Sequence, residues 1–299
     1  MATLTARKPG LSDNLFNYIA SGLLLVMAIL MLYPFYYLLI YSLNDPMDAL
    51  RGGIYFWPRK LSVVSYQQVW ATHDLGQAAF ISVSRTVVGT VSSVLCTSML
   101  AYVLSRPNLV FRKFFNRFFV LTMYLSGGLI PYYLTVRAYG LANSFLVYVT
   151  PGLVGIFNMI LIRTYIQELP GELWESAEVD GAMDHTIFIR IVLPLCLPVL
   201  AVVCIFNAVG QWNSWFDAAI FNASSPRLTP VQTVLMGMLK RAVVKTSKDV
   251  PMSNDALRSL TPESMRATIT MIATIPIIVV YPFFQKYFTQ GIMMGAVKG

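Results

Sequence analysis

Charge is scarce in this chain. Asp, Glu, Lys and Arg make up 12% of its 299 residues, about half the share in average soluble domains. Hydrophobic residues reach 56% and the mean hydropathy is +0.62. That deficit excludes an ordinary soluble protein and predicts an integral membrane one. Histidine is almost absent: His73 and His185 stand far apart. The three cysteines, Cys96, Cys196 and Cys204, lie in apolar runs without ligand or disulfide spacing. Zinc chemistry, His-based catalysis and a redox role are therefore not expected, and no metal site is predicted. No Gly-x4-Gly-Lys-Ser/Thr loop occurs, so the chain itself should not hydrolyse ATP. Basic residues outnumber acids, 22 to 14. They do not gather on a polar domain, which excludes a nucleic-acid partner.

What is present is long apolar sequence. A helix needs roughly 20 apolar residues to cross a bilayer, and six stretches qualify: about 16–43, 79–104, 114–136, 144–166, 191–221 and 265–288. The first is too long for a signal-peptide core and no small-residue cleavage site follows, so it reads as a retained span. Pro and Gly interrupt the later ones, at Gly127-Gly128 and Pro131, Pro151-Gly152, Pro194 and Pro198, Pro276 and Pro282. Neighbouring helices can satisfy the freed backbone groups, so these residues predict kinked helices in a packed bundle. Gly89, Ser92, Ser93, Ser98 and Ala101 would let the second span approach another closely. Residues 230–244 read as a short amphipathic helix, either interfacial or an ordinary loop helix. Thr261-Pro262-Glu263 reads as a helix start.

Six spans put both termini on one side. The loop between spans two and three carries Arg106, Arg112, Lys113 and Arg117, whereas the next short loop carries Arg137 alone. The excess of Lys and Arg marks the cytoplasmic side, so both termini are expected there. The segment 222–264, which this orientation places outside, also carries six basic residues and pulls the other way.

Six of the 14 acids crowd into residues 168–184: Glu168, Glu172, Glu175, Glu178, Asp180 and Asp184. Pro170 can open a helix there and Glu172 suits its positive end. Gly181 suits its stop. Such a helix, roughly ten residues long, is too short to span anything. Alone it is a solvated acidic loop helix.

Its context is more specific. Glu175-Ser176-Ala177, three residues, Gly181, nine residues, Ile191, one residue and Leu193-Pro194 reproduce the spacing of the Glu-Ala-Ala loop of binding-protein-dependent ABC importer permeases. The one departure is Ser176 for the first Ala. SGGLIPYYL (126–134), residues 141–170, WNSWFDAAIF (212–221) and the closing YPFFQKYFTQGIMMGAVKG (281–299) resemble carbohydrate-uptake permeases of the maltose-transporter type, above all the lipoprotein and polysaccharide-uptake subgroup. The resemblance implies an all-α integral membrane protein with the six-helix type I importer transmembrane domain and a cytoplasmic coupling helix. The expected organisation is a cytoplasmic segment 1–15, a permease domain 16–290 and a tail 291–299. Within the domain lie a coupling loop at 167–190 and extracytoplasmic loops at 44–78 and 222–264.

The resemblance also implies site residues and partners. Glu172, Glu175, Ser176, Ala177, Asp180 and Gly181 would meet a cytoplasmic ATPase, with Glu175 facing a basic group. Gly291, Gly295 and Lys298 would belong to a tail entering between the ATPases. Partners would be a second homologous permease, two ATPases that bind ATP and Mg, an extracytoplasmic sugar-binding protein and an oligosaccharide. This chain would carry no cofactor and would reside in a bacterial inner membrane.

Polar residues within spans usually face the bundle interior. Asn158, Asn207, Gln211, Trp212 and Asn213 are therefore candidates for a sugar path, although amides between helices often serve only as interhelical hydrogen bonds. Arg85, about two turns into span two, either snorkels to the outer interface or attracts an anionic sugar such as an oligouronate, as in alginate-type importers. Two other readings stay open: an ABC permease for a non-sugar solute, and an ion-coupled secondary transporter. The second would need deep carboxylates, and the spans offer only Asp217, near an end. A membrane enzyme would need convergent catalytic groups, but the remaining acids are scattered.

Overall fold

A computed structural model describes residues 11–72, 75–246 and 261–296. Its helices are α1 (Leu11–Ser42), α2 (Pro46–Ala49), α3 (Val64–Thr72), α4 (Leu75–Ser105), α5 (Arg112–Tyr124), α6 (Leu129–Ala138), α7 (Ile156–Glu168), α8 (Glu172–Val179), α9 (Asp184–Ile187), α10 (Leu193–Leu195), α11 (Leu197–Asn213), α12 (Phe216–Phe221), α13 (Val231–Thr246) and α14 (Pro262–Ala296). The described residues contain no strand, only an isolated bridge between Asn44 and Leu61.

Three described helices, α1, α4 and the first part of α14, are long and apolar enough to cross a bilayer. The other three expected spans are each bent pairs of segments. In the third, α5 and α6 meet at 116°, and Gly128 between them sits at φ 82°, a conformation that glycine adopts without a Cβ penalty. In the fourth, 3-10 turns over residues 145–152 meet α7 at 47°. In the fifth, the segment 184–195 meets α11 at 82°. Pro194 and Pro198 flank that last break, and proline removes a helical donor and clashes with the preceding turn. A π-type stretch, Phe188–Val192, leads into it. Pro34, Pro276 and Pro282 stay inside continuous helices. The expected kinks thus become full breaks where proline or glycine clusters, and single prolines are absorbed. The helical backbone of α14 runs on to Ala296, into the segment 291–299.

The chain forms two compact units, residues 1–72 with 241–272 and residues 73–240 with 273–299. In the first, the apolar side chains of α1 from Leu15 to Leu32 are exposed, as suits a helix surrounded by lipid tails. A polar knot follows it. The Asp45 side chain caps α2 by accepting from the Met47 and Asp48 amides, at 3.0 and 2.9 Å. Asp48 is buried and accepts from Asn44 Nδ2 at 3.2 Å and from Arg59 Nε at 3.0 Å. Arg59 also donates to the carbonyls of Asp48 and Gly52. Later in the same unit, Thr261 Oγ1 accepts from the Ser264 amide at 3.1 Å and starts α14, as its sequence predicts.

In the second unit α4 is the central element. One face of it is buried at Ile81, Arg85, Gly89, Ser93, Thr97, Ala101 and Leu104, spaced by three or four residues as one helical face requires. Four of these are small, so α11 and α7 can pack closely against them. Gly89, Ser93, Ser98 and Ala101 are buried as expected, whereas Ser92 is only half-buried. The main core joins α4 (Val94, Ala101, Tyr102, Leu104), α7 (Met159, Ile162, Ile166) and residues 187–203.

The hydrogen bond from Asn44 and the Arg59 charge hold the Asp48 carboxyl below its ordinary value of 3.8. A carboxylate with a depressed folded pKa stabilises the native state above its unfolded pKa, and that contribution is lost as pH falls through the folded value. Thermal unfolding of purified protein between pH 3 and 6 should therefore show the wild type gaining stability over Asp48→Asn above about pH 4. Parallel curves would show that the carboxylate contributes nothing.

Candidate functional sites

The acidic loop forms a short helix with one packed and one open face. α8 spans Glu172–Val179 and ends in a reciprocal pair of backbone bonds, Gly181 N–H to Glu178 O at 3.0 Å and Ala182 N–H to Ala177 O at 2.9 Å. This is the Schellman arrangement, which requires a left-handed residue after the helix. Gly181 supplies it at φ 79°. Trp174, Ala177 and Ala182 pack against the core that α4, α7 and residues 187–203 share. Glu172, Leu173, Glu175, Ser176, Val179 and Asp180 are exposed. Of the expected contact residues, only Ala177 therefore turns inward.

An ion pair that the sequence spacing does not announce fixes this helix. Arg106, just beyond the end of α4, pairs with Glu178 and lies 3.3 Å from Asp184. Tyr102 Oη donates to the same Asp184 oxygen at 3.1 Å, and the Arg106 guanidinium lies 5.6 Å from the Tyr102 ring centroid. Burial alone would lower the pKa of Arg106, but the Glu178 hydrogen bond and the neighbouring charges outweigh it and raise the pKa. α8 is thus tied to the end of α4 and to the start of the fifth span.

The second cluster lies where α4 meets α11. Arg85 is only 2% exposed. Its Nη2 lies 2.5 Å from Asp217 Oδ2, its Nη1 donates to Asp217 Oδ1 and to the Ser214 carbonyl at 3.2 Å, and its Nε donates to Gln211 Oε1 at 3.1 Å. The guanidinium also lies 4.3 Å from the centroid of Tyr148. Gln211 Nε2 donates to the Tyr148 carbonyl at 3.0 Å, so it bridges Arg85 and the fourth span. Arg85 thus does not snorkel to the interface as one of its two expected readings had it. Paired with a carboxylate across the helix contact, it places no net charge in the span.

The remaining path candidates divide. Asn207 accepts from Ser93 Oγ at 3.2 Å and donates to the Val203 carbonyl. Trp212 Nε1 donates to the Ala273 carbonyl at 3.1 Å. These two and Gln211 act as interhelical ties. Asn213 is exposed and accepts from Gln232 at 3.3 Å. Asn158 is half-buried at the start of α7. Near Asn213, Lys240 Nζ lies 4.9 Å from the centroid of Trp215. Gly291 and Gly295 fall within the helical backbone of α14, and Lys298 lies outside the described residues. Arg106 and Tyr148 were missed from the sequence, because only the folded chain brings them to Glu178 and Arg85. No group of three His, Cys, Asp or Glu suited to a metal occurs among the described residues.

Removing one partner of a buried ion pair leaves the other charge uncompensated, at a cost of about 3 kcal/mol or more. Asp217→Leu alone should destabilise the purified protein by that order, and Arg85→Met with Asp217→Leu should recover most of it. A double variant no more stable than the single one would refute the pairing. Gly89→Val should also destabilise: a Cβ at Gly89 would lie 2.6 Å from Gln211 Nε2, and that amide is held from both sides.

Comparison with known proteins places these features in a family. Residues 93–293 match the family described as the binding-protein-dependent transport system inner membrane component. The polygalacturonan/rhamnogalacturonan transport system permease protein YtcP of Bacillus subtilis is 33% identical over 97% of this chain and 100% of its own. Protein LplC of Bacillus subtilis is 33% identical over 89% of each chain. Among solved structures, a bacterial ABC transporter involved in the import of the acidic polysaccharide alginate superposes with a TM-score of 0.81 at 27% identity, over 95% of this chain and all of that one. The chain therefore belongs to the inner-membrane components of binding-protein-dependent transport systems, as the non-catalytic permease subunit of an ABC importer.

Proposed function

We propose that this permease forms half of the translocation pathway for an oligosaccharide and is driven through α8 by two cytoplasmic ATPases, which bind ATP and Mg. A second, homologous permease completes the pathway, and an extracytoplasmic binding protein delivers the sugar. With α8 in the cytoplasm and six spans, both termini are cytoplasmic. The end of α14 and Lys298 then lie on the ATPase side.

The observation that carries the coupling role is the two-sided build of α8. Its inner face is packed on the core and its Glu178 is bound to Arg106. Its outer face presents Glu172, Glu175 and Asp180 beside exposed Leu173 and Val179. A short helix held rigidly on one side and open on the other can pass on rigid-body movement. Its exposed carboxylates suit a basic partner cleft.

The sugar assignment is supported by the names of relatives, which include permeases for polygalacturonan/rhamnogalacturonan, arabinooligosaccharides and melibiose/raffinose/stachyose. An acidic oligosaccharide fits the first of these and the alginate importer. Arg85 is not the group that would read its charge, because its guanidinium is already bound to Asp217. The more accessible Asn213 and Lys240 beside Trp215 are better placed for a sugar acid.

Glu175→Lys should abolish ATP hydrolysis stimulated by loaded binding protein in the assembled complex while the chain still inserts in the membrane. Normal stimulation would contradict the coupling role. The substrate class is tested separately, by transport into proteoliposomes loaded with ATP. Oligogalacturonate should be taken up in preference to a neutral oligosaccharide, and Lys240→Gln should lower uptake of the acidic sugar several-fold. Equal loss for both sugars would exclude charge reading at Lys240.

A further inference from the structure

A basic cavity of about 650 Å³ lies between the loop after α4, the start of α5 and the end of α7. Arg112, Lys113, Arg117 and Arg163 line it together with Asn116 and Gln167, and no Asp or Glu does. None of the four cations takes part in an ion pair among the described residues. Arg112 Nε donates to the Leu104 carbonyl at 3.2 Å. Arg163 Nη1 donates to Asn116 Oδ1, while its Nε is buried without a partner. Four like charges brought together, one with an unsatisfied buried donor, repel one another unless an anion sits among them.

The backbone adds to the same demand. α5 begins at Arg112 after Phe111, which is held at φ 58° and makes no side-chain cap. Arg112 N–H donates to the Leu109 carbonyl at 3.2 Å, and the amides that follow at a helix start have no internal partner and favour an anion. α5 is also two-faced. Its basic side carries Arg112, Lys113, Asn116 and Arg117. Phe114, Phe118 and Leu121, one helical stripe, are exposed, and the two Phe rings stack with centroids 6.2 Å apart. A helix with cations on one side and exposed apolar residues on the other suits the headgroup boundary of a bilayer.

We propose that this cavity binds the phosphate headgroup of an anionic phospholipid. Arg112, Lys113, Arg117 and Arg163 surround the phosphate, the α5 amides face it, and the acyl chains lie along Phe114, Phe118 and Leu121. A soluble phosphate would satisfy the cations but would leave that stripe uncovered. A protein partner would need acids reaching into the cavity. The site does not depend on which solute is carried or on the role of α8, although it adjoins the end of α4 that holds α8.

The assembled transporter, equilibrated with mixed micelles of phosphatidylglycerol and phosphatidylcholine, tests this by the lipid retained after purification. Phosphatidylglycerol should be retained selectively. Lys113→Gln with Arg117→Gln, both exposed side chains and therefore safe for folding, should lower that selectivity on the order of thirtyfold. Arg163→Gln should also lower it, and Arg51→Gln, an exposed cation that does not line the cavity, should not. Millimolar sn-glycerol 3-phosphate should fail to displace the lipid. Equal retention of the two lipids overturns the proposal, as does unchanged selectivity in the double variant. Ready displacement by glycerol phosphate would make the site one for a soluble anion. Loss of the ATPase subunits from the double variant with lipid selectivity intact would make it a protein-docking surface.

Discussion

The close approach of α4 and α11 at Gly89 is the constraint from which the rest of the second unit follows. Without a side chain there, Gln211 can lie against α4 and reach both Arg85 and the Tyr148 carbonyl. That places Arg85 within reach of Asp217 across the helix contact. A lone arginine inside a span is costly, and a lone aspartate nearly as much. Joined, they cancel and hold α4 to the end of the fifth span. The pair also occupies the carboxylate that an ion-coupled carrier would need free.

The placement of α8 depends on the same strut. Trp174 and Ala177 need the core built by α4, α7 and residues 187–203, and Glu178 needs Arg106 at the end of α4. Only because this inner side is secured can the outer side present carboxylates without closing back on the protein. The scarcity of acids matters here, because most of those in the loop remain outward.

Much of this was legible in the sequence because it rests on local rules. Apolar runs gave the six spans, Pro-Gly clusters marked the breaks, Gly181 marked the left-handed stop, and the spacing from Glu175 to Pro194 marked the loop. What was not legible depends on pairs far apart in the chain. Arg85 carries no sign that its partner is Asp217, since hydropathy counts charges without pairing them. Polar side chains in spans look alike whether they face a path or a neighbour, and those of Asn207, Gln211 and Trp212 bond to neighbours. The angle of a break is equally hidden: Gly127-Gly128 suggests a bend, but not that it reaches 116°.

Arg85 of α4 and Arg106 just beyond its end also define how a push on α8 must travel. Arg85 and Arg106 stand 21 residues apart, about 31 Å along a helix, close to the thickness of a bilayer core. Their partners, Asp217 on one side and Glu178 and Asp184 on the other, bracket the whole fifth span. That span is therefore tied to α4 at both ends and broken by 82° between them. Under the proposed coupling, a displacement of α8 reaches α4 at once through Arg106, and α4, as a continuous helix, passes it to Asp217 as a rigid body. The span between cannot lengthen. Any difference between the motions of its two ends falls on the breaks of that span, at Pro194–Pro198 and between Asn213 and Phe216. Pro194, which ends the Glu175–Pro194 spacing, thus does more than anchor the loop. With Pro198 it places one of those joints between the α8 end and the Arg85–Asp217 tie.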